Sequence, residues 1–226
     1  MKIGIEGSGV VGRTLAAGFA GQGHDVAIGT RNVDALMART EPDAMGNPPF
    51  AQWKADHPQI GVTTLAEAAA HGELIVNATS GDASHDALTA AGAGNLAGKT
   101  VIDAANPIEH DSGWPPSLFV ANTDSLGEQL QAAFPDAWVV KAWNTMTAAL
   151  MTDPSSLAGG DHTIPICGDD ERAKAQVSTL LEAFGWRDIL DLGDITAARA
   201  MEANLLGWLR VMTTLGTATF NTKVVR

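Results

Sequence analysis

Gly7-Ser8-Gly9-Val10-Val11-Gly12 matches G-x-G-x-x-G, follows the apolar run "KIGIE" and opens the helical pattern "VVGRTLAAGFAGQG". Each glycine has its own task in such a turn. Gly7 permits the tight bend, Gly9 lets a pyrophosphate approach the backbone, and Gly12 lets the helix pack close to the strand. The helix N-terminus then offers unpaired N–H groups and a partial positive charge to phosphate. A glycine turn with no ligand can carry the same letters. Its place at the head of a strand–helix–strand pattern is what points to a dinucleotide.

Which dinucleotide is decided at the end of the next strand. NAD sites carry an Asp or Glu about 20 residues past the glycines, bonded to the ribose hydroxyls. Here "DVAIG" ends in Gly29-Thr30-Arg31-Asn32, with no carboxylate to repel a 2′-phosphate. A hydroxyl, a guanidinium and the start of the next helix suit that phosphate, so the pattern predicts NADP with Thr30 and Arg31 on it. The alternative has Thr30 capping the next helix and Arg31 in solvent.

Later strand ends should line the same crevice. They read "NATSGDASH", "DAANPIEH" and "KAWNTMT", small and polar residues suited to ribose and nicotinamide, or to ordinary turn caps. No dedicated acid stands out among them. The chain has no Tyr, which excludes a tyrosine-based proton donor, and none of its lysines sits in a catalytic helix motif. His85 and His110, each just past a strand end, are the best-placed donors, although a His there is more often a cap or a surface residue. Asp169, Asp170 and Glu171 suit the start of a helix, where acids favour the dipole, better than a metal.

Three functions remain on these residues. Hydride transfer between two ring cofactors needs positioning more than an acid, and fits best. Reduction of a small carbonyl or imine would use His85 or His110 as donor. A non-catalytic NADP sensor would need neither.

Composition narrows the setting. The 226 residues are 45% hydrophobic and 18% charged, with a formal net charge of −12. That charge argues against a nucleic-acid partner, which needs clustered Lys and Arg, and it makes cations near an anionic ligand more telling. Cys167 is the single cysteine, so neither an internal disulfide nor a multi-cysteine metal site can form. No run reaches the roughly 20 apolar residues of a membrane span, and residues 1–6 read as a strand rather than a targeting segment. A cytoplasmic protein acting on a small molecule or cofactor is expected.

These residues must be positioned by alternating strands and helices, which predict an α/β fold: a doubly wound parallel sheet over 1–150. "EPDAMGNPPFAQWKADHP" reads as irregular with a helical turn in its middle, the stretch around Gly81–Ser84 as a loop, and Ser125 with Glu128 as a capping box. Past the linker-like "TDPSSLAGGDH", residues 151–226 form a small C-terminal α/β extension ending in a long helix from about Ile195 to Thr214. Ile195, Ala198, Met201, Leu205, Trp208, Met212 and Leu215 make an apolar stripe on it, with Ala197, Ala200, Asn204 and Gly207 opposite. So little charge predicts a helix buried on most sides, in the core or in a dimer contact that also walls the cleft.

"GSGVVG", "GTRN", "VVKAWNTM", "IPICGDD" and "ARAMEANLLGWLRVM" together resemble NADPH-dependent reductases of the deazaflavin coenzyme F420, over nearly the whole chain. The cytosolic domain of membrane ferric reductases is similar. The resemblance implies a Rossmann domain with a small C-terminal domain, commonly dimeric. It implies that Ser8, Gly9, Val10 and Val11 contact the pyrophosphate, and that Thr30 and Arg31 hold the 2′-phosphate. Thr79 and Ser80 would contact the cofactor, Ala105 and Asn106 would lie near the nicotinamide, and Asn144, Thr145 and Met146 would meet the second substrate. The archaeal reductases carry His at the position of Asn144 and Pro at that of Thr147, and Glu6 replaces a small residue. These departures fall on the deazaflavin side, so NADP is implied more firmly than the acceptor.

Overall fold

The computed structural model describes residues 1–43, 46–109, 111 and 113–226. Its strands are β1 (Lys2–Glu6), β2 (Asp25–Thr30), β3 (Gly61–Thr64), β4 (Leu74–Asn77), β5 (Thr100–Asp103), β6 (Ile108–Glu109), β7 (Ser117–Leu118), β8 (Trp138–Lys141), β9 (Thr163–Gly168) and β10 (Asp188–Asp191). Eight of them form one sheet in the order β3-β2-β1-β4-β5-β8-β9-β10, while β6 and β7 pair as a short antiparallel ribbon. The first six in that order are parallel, which is the doubly wound Rossmann plan with its order reversing between β1 and β4. After residue 150 the sheet grows by β9, antiparallel to β8, and β10, parallel to β9.

The helices are α1 (Val10–Gly21), α2 (Val33–Met37), α3 (Phe50–Asp56), α4 (Leu65–His71), α5 (Gly81–Ala91), α6 (Ala93–Leu96), α7 (Leu126–Ala133), α8 (Ala148–Thr152), α9 (Glu171–Phe184) and α10 (Ala198–Leu215). A parallel sheet is covered on both faces, so its strands are apolar on both. Ile3, Ile5, Ile28, Val76, Ile102 and Val140 share one core with α1, α9 and the Trp143 ring. Ile75, Val101 and Val139 point the other way, into a core with α5, α7 and α10. On that second face β1 offers Gly4, where a β-carbon would overlap the Ala68 carbonyl, so α4 lies close over β1.

Several sequence expectations change. The irregular segment holds a real helix, α3, in its second half, entered from Pro49. The stretch around Gly81–Ser84 is the first turn of α5 rather than a loop. Ser125 does accept the Glu128 N–H at 3.1 Å, but its own N–H goes to Asp124 at 2.8 Å, so the box is not reciprocal. The reciprocal box is Thr64 with Glu67 at the start of α4. The last helix follows a 3-10 turn (Ile195–Ala197) and is buried only at Ala198, Met201, Glu202 and Leu205. Beyond Leu205 it leaves α7 and the sheet, and Leu206, Val211 and Leu215 are exposed, as are Ala200, Asn204 and Gly207. A low-charge helix was therefore a poor guide to burial within the single chain.

Candidate functional site

The glycine turn sits where the strand order reverses. Gly7 has φ +121°, a conformation closed to most side chains, and a β-carbon there would meet the Ala78 backbone. One at Gly12 would overlap the Gly7 carbonyl oxygen, whereas Gly9 faces open space. Helix α1 starts with neither a side-chain cap nor an acid in its first turn, so its leading N–H groups are left for a ligand. That donor set suits a pyrophosphate.

Beside the turn lies a cavity of about 550 Å³ that gathers Gly7, Ser8 and Gly9 with Thr30, Arg31, Thr79 and Ser80. Asn32, not Thr30, caps α2, accepting the Ala35 N–H at 2.8 Å. The exposed Arg39 also lines this cavity, and a second one of about 510 Å³ that continues past Ser8 and Gly9. The sequence reading missed Arg39. Neither arginine lies within α2 (Val33–Met37), so no helical spacing in the sequence pairs Arg39 with Arg31. Arg13 is otherwise engaged: it donates to the Pro48 carbonyl at 2.8 Å and pairs with Asp43 at 3.2 Å.

Other predicted residues fall elsewhere. Val10 borders a shallow cavity over α1, and Val11 packs on the core, so only their backbones could face phosphate. Ala105 is buried in the second core, and the Met146 side chain in the first. Asn106 and Asn144 clasp one another: the Asn106 amide donates to the Asn144 carbonyl at 2.6 Å, and the Asn144 amide to Asn106 Oδ1 at 3.0 Å. Asn144 also donates to the Met201 carbonyl at 2.9 Å, tying α10 into the clasp. Thr145 lines a cavity of about 310 Å³ under Met201 and Asn204. Trp143 before it has φ +63° with a buried ring against Phe19 and Phe184. Such a conformation costs about 1 kcal/mol or more and persists because the packing imposes it.

Beneath this mouth runs a row of buried polar side chains. Register places Glu6, Asn77, Asp103, Lys141 and Cys167 side by side at the carboxyl edge. Lys141 donates to Asp103 Oδ2 at 2.8 Å, Glu202 Oε1 at 2.6 Å and the Ala105 carbonyl at 2.7 Å. Glu202 in turn accepts the Leu126 and Gly127 N–H groups at the start of α7. Asp103 Oδ1 accepts from Asn77 at 2.9 Å and from the Ala105 N–H at 3.1 Å. Asn77 continues the chain to Ser84 and to the Thr79 hydroxyl. Burial pushes the Lys141 pKa down, but the charges and hydrogen bonds of Asp103 and Glu202 outweigh it and hold it above the ordinary lysine value. Asp103 and Lys141 had been noted only as strand-end residues, and Glu202 lies too far along the chain to be paired with them by inspection.

Glu6 stands at the end of this row with neither carboxylate oxygen bonded. It fits because Gly29 beside it has no side chain: a β-carbon there would run into Glu6 Oε2. Burial pushes its carboxyl up to about 8. His85 is on the exposed side of α5, its ring 6.0 Å from that of Phe134, and it lines none of these cavities. His110 lies outside the described residues. Among those residues no group of three His, Cys, Asp or Glu is arranged to hold a metal.

A glycine turn with free helix N–H groups at the reversal of a doubly wound sheet, with guanidinium groups beyond it, is the arrangement of a Rossmann-fold dinucleotide-binding protein. Residues 2–107 match the family described as NADP oxidoreductase, coenzyme F420-dependent. A solved structure from Arthrobacter sp. FB24, described as a candidate F420-dependent NADP-reductase, is 53% identical with TM-score 0.97, covering 100% of both chains. The chain belongs to this F420-dependent NADP oxidoreductase family. Metalloreductase STEAP3 of Rattus norvegicus is 33% identical over 203 residues, which are 89% of this chain and 36% of that protein. The chain thus spans about a third of that relative's length. A reductive aminase of Aspergillus terreus, solved with NADPH and ethyl-5-oxohexanoate, shares the fold at 19% identity, TM-score 0.60, over 95% of this chain and 62% of its own.

Proposed function

We propose that this oxidoreductase moves a hydride between NADP(H) and a deazaflavin or flavin-like acceptor. The observation that carries the NADP half is the cavity mouth formed by Thr30, Arg31 and Arg39, with no carboxylate ending β2. Bound NADPH would supply the hydride. Ser8, Gly9 and the backbones of Val10, Val11 and Gly12 would hold the pyrophosphate, and Thr79 and Ser80 would flank it. Ala105 and Asn106 would lie along the nicotinamide, with the Asn106–Asn144 clasp setting the width of the cleft. Asn144, Thr145 and Met146 would form the turn that meets the acceptor, and residues 151–226 its outer wall. The description of the Arthrobacter relative supports the deazaflavin as the acceptor to try first. The exposed apolar side of α10 suits a contact between two copies, and the reducing cytoplasm suits the lone thiol.

Arg31→Ala is expected to weaken NADPH binding by about 10- to 100-fold, the loss of one charge-assisted phosphate pair, and NADH binding by less than about twofold. Titration of both nucleotides checks it, and equal losses would remove the 2′-phosphate assignment. For the acceptor, NADPH oxidation is followed with the deazaflavin coenzyme and with flavin mononucleotide in parallel. Turnover with the deazaflavin is expected. Tight NADPH binding with no turnover in either assay would sink the acceptor half and leave the nucleotide half standing.

A further inference from the structure

The set of Asp103, Lys141 and Glu202 carries an excess of negative charge, and its hydrogen bonds show why. Every carboxylate oxygen in it faces donors. Asp103 Oδ1 receives Asn77 and the Ala105 N–H, and Oδ2 the ammonium. Glu202 Oε1 receives the Gly127 N–H and the ammonium, and Oε2 the Leu126 N–H. Two carboxylates, each oxygen of which accepts from an N–H group or the ammonium, thus stand against one ammonium. The start of α7 offsets part of the charge on Glu202. The neighbouring Cys167 adds none, since burial pushes its thiol up to about 12. All three side chains are essentially solvent-free, so counterions cannot screen them.

The set is wired to the turn expected to face the nicotinamide. Lys141 holds the Ala105 carbonyl, Asp103 holds the Ala105 N–H, and Asn106 follows. The nicotinamide ring is neutral in NADPH and cationic in NADP⁺. A fixed negative excess behind that turn therefore acts on one redox form and not the other. We infer that the buried Asp103–Lys141–Glu202 set is a specificity device that favours the oxidised over the reduced dinucleotide. This rests on the placement of the nicotinamide at Ala105 and Asn106 proposed above.

The test is the ratio of the two dissociation constants, NADP⁺ over NADPH, measured by titration calorimetry at fixed ionic strength for wild type, Glu202→Gln and Asp103→Asn. Each variant removes one negative charge. The ratio is expected to rise about tenfold in each, the factor for a unit charge acting over roughly 10 Å at an effective dielectric near 20. A purely structural role would move both constants together, and an unchanged ratio overturns the inference. Should neither variant fold, wild type decides: NADP⁺ bound at least as tightly as NADPH is expected, and NADPH bound tenfold more tightly overturns it. The ring's placement is checked separately on wild type by the amide resonances of Ala105 and Asn106. They should shift with NADP⁺ but not with 2′,5′-ADP, which lacks the ring. Shifts with an unchanged ratio reject the charge effect alone, and no shifts reject the placement.

Discussion

Lys141→Met is expected to destabilise the protein by roughly 3–5 kcal/mol, because it leaves two buried carboxylates facing each other with no cation between them. Lys141 Nζ is the shared partner of Asp103 and Glu202, and all three side chains are essentially without solvent exposure. The Ala105 carbonyl loses its donor as well. Chemical denaturation gives the loss directly, with the slope against denaturant showing whether the unfolding remains two-state. A network of this kind is not additive. Adding Glu202→Gln to Lys141→Met should therefore recover part of the loss, since it removes one of the stranded charges. Fully additive losses, or a Lys141→Met loss under about 1 kcal/mol, would mean that water solvates the site and the network is not closed.

Glu6→Leu works in the opposite direction and should stabilise. The carboxyl titrates near 8 in the folded chain against 4.5 for an unperturbed Glu, and burial is the cause. The folded state therefore holds the proton more tightly than the unfolded state does. Below the unfolded value both states are protonated and the group costs nothing through titration. As pH rises from 4.5 towards 8 the unfolded chain ionises freely while the folded chain cannot, and stability falls by about 1.4 kcal/mol per pH unit. At pH 7 the cost is roughly 3 kcal/mol, and above 8 it levels off. For a chain of this size the leucine variant should melt on the order of 10 °C higher at neutral pH, with the advantage shrinking towards pH 4.5. The pH dependence is the decisive readout, because any packing gain from leucine is the same at every pH. A constant advantage would show that Glu6 finds water or a partner.

The fold was legible because its signals are local and repeated. β1, β2, β4 and β5 announce themselves as short apolar runs, and the glycine turn lies between the first of them and a helix. That Arg31 lines the cavity beside the glycine turn follows from its position just after β2, at the edge of the crevice. What the residues did not reveal depends on partners far along the chain. Glu202 looks like one charge in an apolar helix until Lys141, 61 residues earlier, is seen against it. Glu6 looks like an oddity beside the glycines until Gly29 is seen to leave room for its carboxyl. The first turn of α5 begins at Gly81, a residue that would equally suit a loop. Gly81 is there instead because the helix runs so close to Asn106 that a β-carbon would strike its carbonyl. The burial of α10 was overestimated because low charge alone does not distinguish an interior from an unpartnered surface.

The Asp103–Lys141–Glu202 set also has an order in time. A ribosome delivers Asp103 first, Lys141 38 residues later, and Glu202 61 residues after that. At about 5–20 residues per second the last interval lasts roughly 3–12 s, far longer than a helix or a strand pair needs to form. Throughout it the nascent sheet holds an ammonium with one carboxylate, and the Leu126 and Gly127 N–H groups at the start of α7 lack the Glu202 carboxylate that will accept from them. The six parallel strands can collapse in that interval, but the hydrogen bonding at the centre of the sheet is completed only when α10 arrives. The polar centre of this sheet therefore closes only once the helix that carries Glu202 has packed onto it.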